Sequence, residues 1–318
     1  MPLQSNRDLH IDTVLSGIML NRRPEGYIAD QVSPVLNVSK RSDIYRKREW
    51  KESIGYEANL TALADGAKPK EVFFSVSSDT YYCNKYGLGT YWVTEDEVNS
   101  DEAIDLNRES AELVSDRLNI DFEMRIADLA NASTSVYTTT NVATAWTNTT
   151  GARIFDDLST QIEAFRAQTT KRPNTMIIPE GIAHYVRRND QIRDLLFGDR
   201  GGLASEQQLA SLLKIGKVLV PEVQVNTAGT LETKLGSGTN SDVWPNAVLL
   251  AYVDPLPGRN KDTWMQSFRW TNPKLGVPWG IRRHQYDTKR MRQDIDAIYY
   301  QSEKIISSEL CFRVNSCV

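Results

Sequence analysis

The run from Glu102 to Asn131, "EAIDLNRESAELVSDRLNIDFEMRIADLAN", constrains this chain more than any other stretch, because it reads as one long helix. At about 100° per residue, Glu109, Glu112, Asp116, Asn119 and Glu123 fall on one side. Leu106, Leu113, Ile120, Met124 and Ala127 form one apolar row, and Ile104, Ala111, Leu118, Phe122 and Leu129 form a second. Two apolar rows predict a helix packed on two sides at once. At ~1.5 Å per residue it spans roughly 45 Å, long for a globular domain. Leu106, Leu113, Leu118, Ile120 and Phe122 are its expected packing residues.

Upstream, residues 1–48 mix Pro24, Gly26 and Pro34 with scattered apolar residues and hold no sustained period. That predicts an extended arm laid against something else. Residues 49–78 read as a long two-stranded excursion. Its centre, "LADGAKPKEV", carries the turn signals Asp65-Gly66 and Lys68-Pro69, and the following "EVFFSVS" is β-branched and aromatic. Trp50, Ile54, Tyr56, Val72, Phe73 and Phe74 are more apolar surface than an isolated pair of strands covers by itself. A second subunit is the natural cover. Trp50 and Phe73 would lie in that contact, and the charges of Lys51, Glu52, Glu57, Lys68, Lys70 and Glu71 would set its register.

"SDTYYCNKYGLGT", from Ser78 to Thr90, links the excursion to the helix. Tyr81, Tyr82, Tyr86 and Tyr91 read as packing residues with a polar tip, and Gly87 and Gly89 let the chain bend toward the helix. Cys83 has only Lys85 nearby to activate it, so the stretch is a structural joint and not a thiol site.

Beyond the helix, the Ser/Thr/Asn-rich run 131–151 predicts a surface loop. Residues 154–257 alternate helices with apolar strands, among them Thr175–Ile178 and "AVLLAYVDP", and read as a compact α/β unit. "ETKLGSGTNSDVWPN" between them is a loop. "TWMQSFRW" and "IDAIYYQSEKIISSELCFRV" are strand text again, and polar positions through Asp296, Tyr299, Gln301 and Lys304 predict a sheet exposed on one face.

With 40% hydrophobic and 25% charged residues, the chain has enough apolar surface for a sizeable core. No apolar run approaches the ~20 residues that cross a bilayer, and the first twenty residues carry no signal-peptide pattern. Three widely spaced cysteines without metal spacing fit free thiols in a reducing cytoplasm. A net charge of −4 argues against gripping nucleic acid by counterion release. The basic clusters Arg46–Arg48, Arg187–Arg188, Arg282–Arg283 and Lys289–Arg292 are diluted by nearby acids, so they read as solvated faces or inter-chain ion pairs.

Chemistry is not written into the sequence. Nucleotide-binding, zinc-protease and serine-hydrolase motifs are missing. "FGDRGG" (Phe197–Gly202) follows a helix without the lysine and hydroxyl of a phosphate loop. His10, His184 and His284 are far apart, and Asp156-Asp157 sit where a helix start favours acids. The sequence therefore predicts no catalytic residue, no cofactor and no metal.

The element order gives the remaining clue: an arm, a long hairpin, a long helix, an α/β unit, returning strands. It resembles the major capsid proteins of tailed bacteriophages, with their Hong Kong 97-type α+β fold. "GAKPKEVFFSVSSDTYYCNKYGLGTYWVTEDEV" and the helix text after it look like that family's extended loop and spine helix. "KRPNTMIIPEGIAHYVRRNDQIRDLL", "LASLLKIGKVLVPEVQVNT", "VLLAYVDPLPG" and "SFRW" look like its axial domain and the return to its peripheral domain. The similarity runs from about Trp50 to Val314, and the arm is its least matched part.

That resemblance implies an N-terminal arm (1–48), an extended loop (49–78), a peripheral domain (79–153 and 258–318) around the spine helix 102–131, and an axial domain (154–257). It implies a subunit of an icosahedral shell built from pentamers and hexamers. Such a shell encloses double-stranded DNA without sequence-specific binding, has no membrane, and works with a portal and with scaffolding or cement proteins. The protein would be assembled in the host cytoplasm and reside in the virion. An encapsulin-like compartment shell is the rival reading, and an enzyme built on the α/β unit is a weaker one that lacks a nucleophile–base pair.

Overall fold

The computed structural model of the chain describes residues 10–11, 16, 24–48, 61–63, 65–71, 76–95, 106–132, 136–198, 201–226, 240–256, 258, 261–273, 279–284 and 286–317. In chain order, strand β1 (His10–Ile11), helix α1 (Ala29–Val32), β2 (Val35–Val38) and β3 (Ser42–Arg48) come first. Next are β4 (Val76–Tyr82), β5 (Asn84–Val93), the long helix α2 (Leu106–Ala130) and β6 (Thr138–Asn141). Then follow α3 (Ile154–Thr169), β7 (Thr175–Ile177), α4 (Glu180–Arg188), α5 (Asp190–Phe197), α6 (Glu206–Leu213) and β8 (Lys217–Leu219). The chain continues through β9 (Gln224–Asn226), β10 (Asn240–Asp242) and β11 (Val248–Ala251). It closes with β12 (Met265–Trp270), β13 (Trp279–Arg283), β14 (Arg292–Ile305) and β15 (Cys311–Asn315).

Two sheets organise these elements. The first runs β1-β13-β14-β12-β2, with β5 also paired to β14. The second runs β6-β15-β11-β7-β8, with the wholly buried β11 antiparallel to both its neighbours. Two ribbons, β3–β4 and β9–β10, stand apart.

Helix α2 joins two cores end to end. Its first half lays Ala111, Val114 and Leu118 on Trp92, Ile281, Ile295, Ala297 and Tyr299 of the first sheet. Its second half sends Phe122, Ile126, Ala127 and Ala130 into the larger core around the second sheet. The buried positions recur every three or four residues along one stripe. Two-sided packing is therefore corrected: Leu118 and Phe122 are buried, Leu106 and Ile120 half-buried, and Leu113 is 53% exposed. Glu123, from the side read as polar, is buried at 1% exposure. Of the expected span, residues 102–105 lie outside the described residues.

The arm also differs from expectation. Ile28, Ala29 and Val32 are core residues, and β2 pairs in parallel with β12, so this segment is built into its own subunit. The run 131–151 is more than a loop. Its threonine-rich β6 extends the second sheet beside β15, and Trp146 is fully buried with its indole N–H on Asp157 at 3.1 Å. β6 and β15 both lie outside 154–257, so the second sheet is larger than the α/β unit read from sequence. Its strand β11 is wholly buried, so the backbone N–H and C=O groups on each of its edges need a partner strand, and β15 supplies one. The loop before β11 includes the short strand β10, paired to β9. Tyr299 and Gln301, read as an exposed face, are fully buried; Tyr299 meets α2, while Asp294 and Asp296 take the outer side.

Gly87 and Gly89 lie inside β5 and make no bend. A Cβ at Gly87 would come within 2.7 Å of the Ala297 carbonyl oxygen and 3.0 Å of Ile298 Cγ1, so glycine is there because β14 passes close.

Candidate assembly surfaces

The β3–β4 ribbon is the stem of the excursion, and it begins earlier than the sequence implied. Ser42–Arg48 pairs with Val76–Tyr82 in antiparallel register, Ser42 opposite Tyr82 and Arg48 opposite Val76. Side chains alternate along it. Tyr45 and Tyr81 turn inward onto Phe268, Tyr81 stacked on that ring at 4.5 Å. Ile44 and Tyr82 turn outward, at 59% and 52% exposure.

A charged clamp sits at the stem's midpoint. Asp79 accepts the Tyr45 hydroxyl at 2.9 Å and pairs with Lys47 at 3.0 Å. The Lys47 ammonium and the Thr80 N–H hold the Asp79 carboxyl down at about 2, and burial raises the Tyr45 phenol. Across the tip, Asp65-Gly66 forms a turn with Gly66 in the left-handed region at φ 83, as the sequence signals. Lys68, Lys70 and Glu71 stand exposed there. Trp50, Lys51, Glu52, Glu57 and Phe73 lie outside the described residues.

The second surface is the outer face of α2. Leu113 and Met124 remain exposed on the row that also carries Ile120, while the opposite stripe is buried. Within the subunit this leaves Leu113 and Met124 of that row uncovered, while Ala127 of the same row is buried.

Two polar nodes fix the beam beneath these surfaces. Arg125 places its guanidinium 3.8 Å from the Tyr86 ring centroid. It donates to Tyr299 Oη at 2.9 Å and to Glu303 at 3.0 Å, and pairs with Asp121. Burial pushes the Tyr299 phenol up to about 12. The second node is Glu123, which accepts the backbone N–H of Ile28 at 3.1 Å and of Ala29 at 2.9 Å, and the Trp244 indole N–H at 2.7 Å. Burial pushes this carboxyl up while the three donors pull it down, and burial prevails. Beside it lies a cavity of about 320 Å³ between residues 24–31 and Asn119, Phe122 and Glu123.

The positions weighed for chemistry are packed or paired. Cys83 is wholly buried with its thiol pushed up to about 11 by burial, and Cys317 is likewise held at about 12. Cys83 joins β4 to β5, its N–H on the Arg41 carbonyl at 2.9 Å. His184 contacts Arg188 and Tyr185 on α4. No cluster of three or more metal-ligating side chains occurs among the described residues, and no described helix is long and apolar enough to cross a membrane. Several basic clusters are neutralised within the chain. Arg187 bridges Glu180 and Glu206 at 3.0 and 2.7 Å, Arg282 pairs with Asp296, and Arg292 with Asp294 at 3.0 Å.

No protein-family model and no curated protein matches the sequence. Solved structures do match the fold. A phage-related protein from Bordetella bronchiseptica RB50 superposes with a TM-score of 0.71 at 16% identity, over 98% of each chain. The capsid of cyanophage P-SCSP1u gives 0.59 at 9% identity, over 89% of this chain and 86% of that one. A virus-like particle from Pyrococcus furiosus gives 0.54 at 11% identity, over 95% and 96%. What is shared at these identities is the fold: the chain has the Hong Kong 97-type capsid architecture.

Proposed function

We propose that this chain is the major capsid protein of a tailed phage, the subunit from which pentamers and hexamers close an icosahedral shell around double-stranded DNA. The observation that carries the reading is likeness over almost the whole chain, because the match to the phage-related protein covers 98% of each chain. The surfaces agree with it. A stem with outward Ile44 and Tyr82 and a polar tip suits an element that acts between subunits, and so do the exposed Leu113 and Met124 of α2.

In this reading residues 154–257, with β6 and β15 completing their sheet, form the axial domain at the centre of each pentamer and hexamer. The first sheet and α2 form the peripheral domain. The hairpin carried by β3 and β4 reaches a neighbouring subunit. A chain of net charge −4, with several of its basic clusters paired internally, would hold DNA without gripping it. Portal and scaffolding or cement proteins are the remaining partners, and assembly takes place in the host cytoplasm.

Negative-stain microscopy of the expressed full-length protein, with sedimentation, tests the reading. Closed particles are expected; a strictly monomeric chain under all assembly conditions overturns it. The likeness to a virus-like particle favours, as second reading, a shell that encloses something other than a genome. Nuclease-protected DNA inside particles from the natural source supports the first, and protein cargo the second.

A further inference from the structure

At one end of the first sheet, β5 and the β13–β14 turn bring three large side chains to the surface together. Tyr91 is 57% exposed, Met291 48% and Tyr286 40%. They are held, not loose. Thr94 Oγ1 lies 2.8 Å from the Tyr286 hydroxyl and donates to the Met291 carbonyl at 3.1 Å, and the Thr94 N–H reaches the same carbonyl at 3.1 Å. The Arg292 guanidinium sits 4.6 Å from the Tyr91 ring centroid. Asp287 closes the turn, its N–H on the Arg292 carbonyl at 3.0 Å and its carboxylate on the Lys289 N–H at 3.0 Å. Met291 is kept at φ 48, a left-handed conformation that is unfavourable for a non-glycine residue.

Exposed bases rim this platform. Arg283, Lys289 and Arg290 are all at the surface, Arg290 3.9 Å from the Asp287 carboxylate of the same turn, whereas Arg282 and Arg292 are engaged with aspartates of β14. Immediately after Thr94, the run Glu95–Asp105, "EDEVNSDEAID", carries six carboxylates, no base, and the apolar Val98 and Ile104. One copy therefore carries a basic-rimmed apolar platform and, a residue away in sequence, an acidic segment with apolar members. Such a surface complements its own kind.

We infer that the platform of Tyr91, Tyr286 and Met291, rimmed by Lys289 and Arg290, is a docking site for the acidic segment 95–105 of a second copy of this chain. The inference rests on the shell reading and names one contact that closes it. The apolar centre supplies burial, and the charge pairing selects the partner and weakens with salt.

The test uses full-length protein and two charge-reversed variants. One carries Lys289→Glu with Arg290→Glu, the other Glu95→Lys, Asp96→Lys and Glu97→Lys, each checked for wild-type circular dichroism. Each alone should lose about tenfold or more in particle yield by sedimentation, and an equimolar mixture should regain association, because opposite charges then meet only between copies. Met291→Gly guards against folding artefacts: it relieves the left-handed strain and removes the exposed side chain, so melting should be unchanged or raised while particle yield falls. Particles from wild type together with normal particles from these variants overturn the contact and leave the shell reading intact. Failed variants that the mixture does not rescue place the pairing within one chain and also overturn it. A wild-type chain that never associates removes both.

Discussion

The indole N–H of Trp244 donates to Glu123 Oε1 at 2.7 Å, tying the loop before β11 to the middle of the long helix. The same carboxylate takes the two N–H groups that open α1, so three segments distant in sequence meet on one side chain. Glu123→Ala leaves three donors unmatched and should cost ~3–5 kcal/mol in denaturant unfolding, whereas Glu123→Gln keeps an acceptor and should cost ~1–2 kcal/mol. An alanine variant as stable as wild type removes this node.

The pH dependence of that node has a defined sign. Burial raises the folded-state pKa of Glu123 above its unfolded value. Its contribution is then complete below the ordinary carboxyl range and is lost as pH rises through the raised folded value. The stability gap between wild type and Glu123→Gln should move in favour of the glutamine variant across that rise. Denaturant titrations at pH 4 and pH 7.5 measure it, and a gap that moves the other way contradicts the assignment.

Leu113 and Leu118 separate the two rows of the beam. Leu118 is 2% exposed against the first sheet, so Leu118→Asp buries a charge and should cost several kcal/mol, ~4 or more. Leu113 is exposed, and Leu113→Asp should change subunit stability by only ~0.5 kcal/mol. Thermal melts of the two variants decide it; equal losses would restore the two-sided beam within the subunit.

Those two leucines also mark how far sequence carries. A period near 3.6 announces the helix and its apolar residues, but it cannot say which row the subunit covers, because the cover comes from β5, β13 and β14. Glu123 shares the helix side of Glu109 and Glu112, and only the donors at Ile28, Ala29 and Trp244, 95, 94 and 121 residues away, make it a core residue. β6 is legible as neither strand nor core, since its threonines read as loop until β15 pairs with them. At the excursion, the turn at Asp65-Gly66 was legible from local chemistry. Its stem lay hidden in Ser42–Arg48, polar text whose inward Tyr45 needs Phe268 opposite it. The platform at Tyr91, Tyr286 and Met291 leaves no sequence signal, because it joins segments almost two hundred residues apart.

The clamp at Asp79 should give the stem an acid-sensitive component. Its carboxyl is held at about 2, chiefly by Lys47 and the Thr80 N–H. A depressed folded value means that the contribution is present above the unfolded carboxyl range, near 4, and is lost as pH falls from there toward 2. The group is partly exposed, so the effect is small. Carboxyl titration by NMR should place Asp79 below the ordinary aspartate range, and Lys47→Met should move it upward. An Asp79 that titrates in the ordinary range with Lys47 intact removes the clamp.

Gly87 and Gly181 should respond in opposite directions to an added methyl group. Gly87 lies in β5 where an added methyl would stand 2.7 Å from the Ala297 carbonyl oxygen, too close without a shift of backbone. Gly87→Ala must therefore push β5 from β14 or distort their ladder, and should cost ~1–3 kcal/mol. Gly181 sits in the first turn of α4, where an added Cβ meets nothing within 4 Å and the backbone has no positive φ. There alanine removes unfolded-state freedom and favours helix, so Gly181→Ala should gain ~0.4–1 kcal/mol. Thermal unfolding of the two single variants and of their combination measures both effects, which should add because the sites share no partner. If Gly87→Ala is neutral, the strands are not in the close approach that fixes glycine there, and the bend read from sequence regains its place.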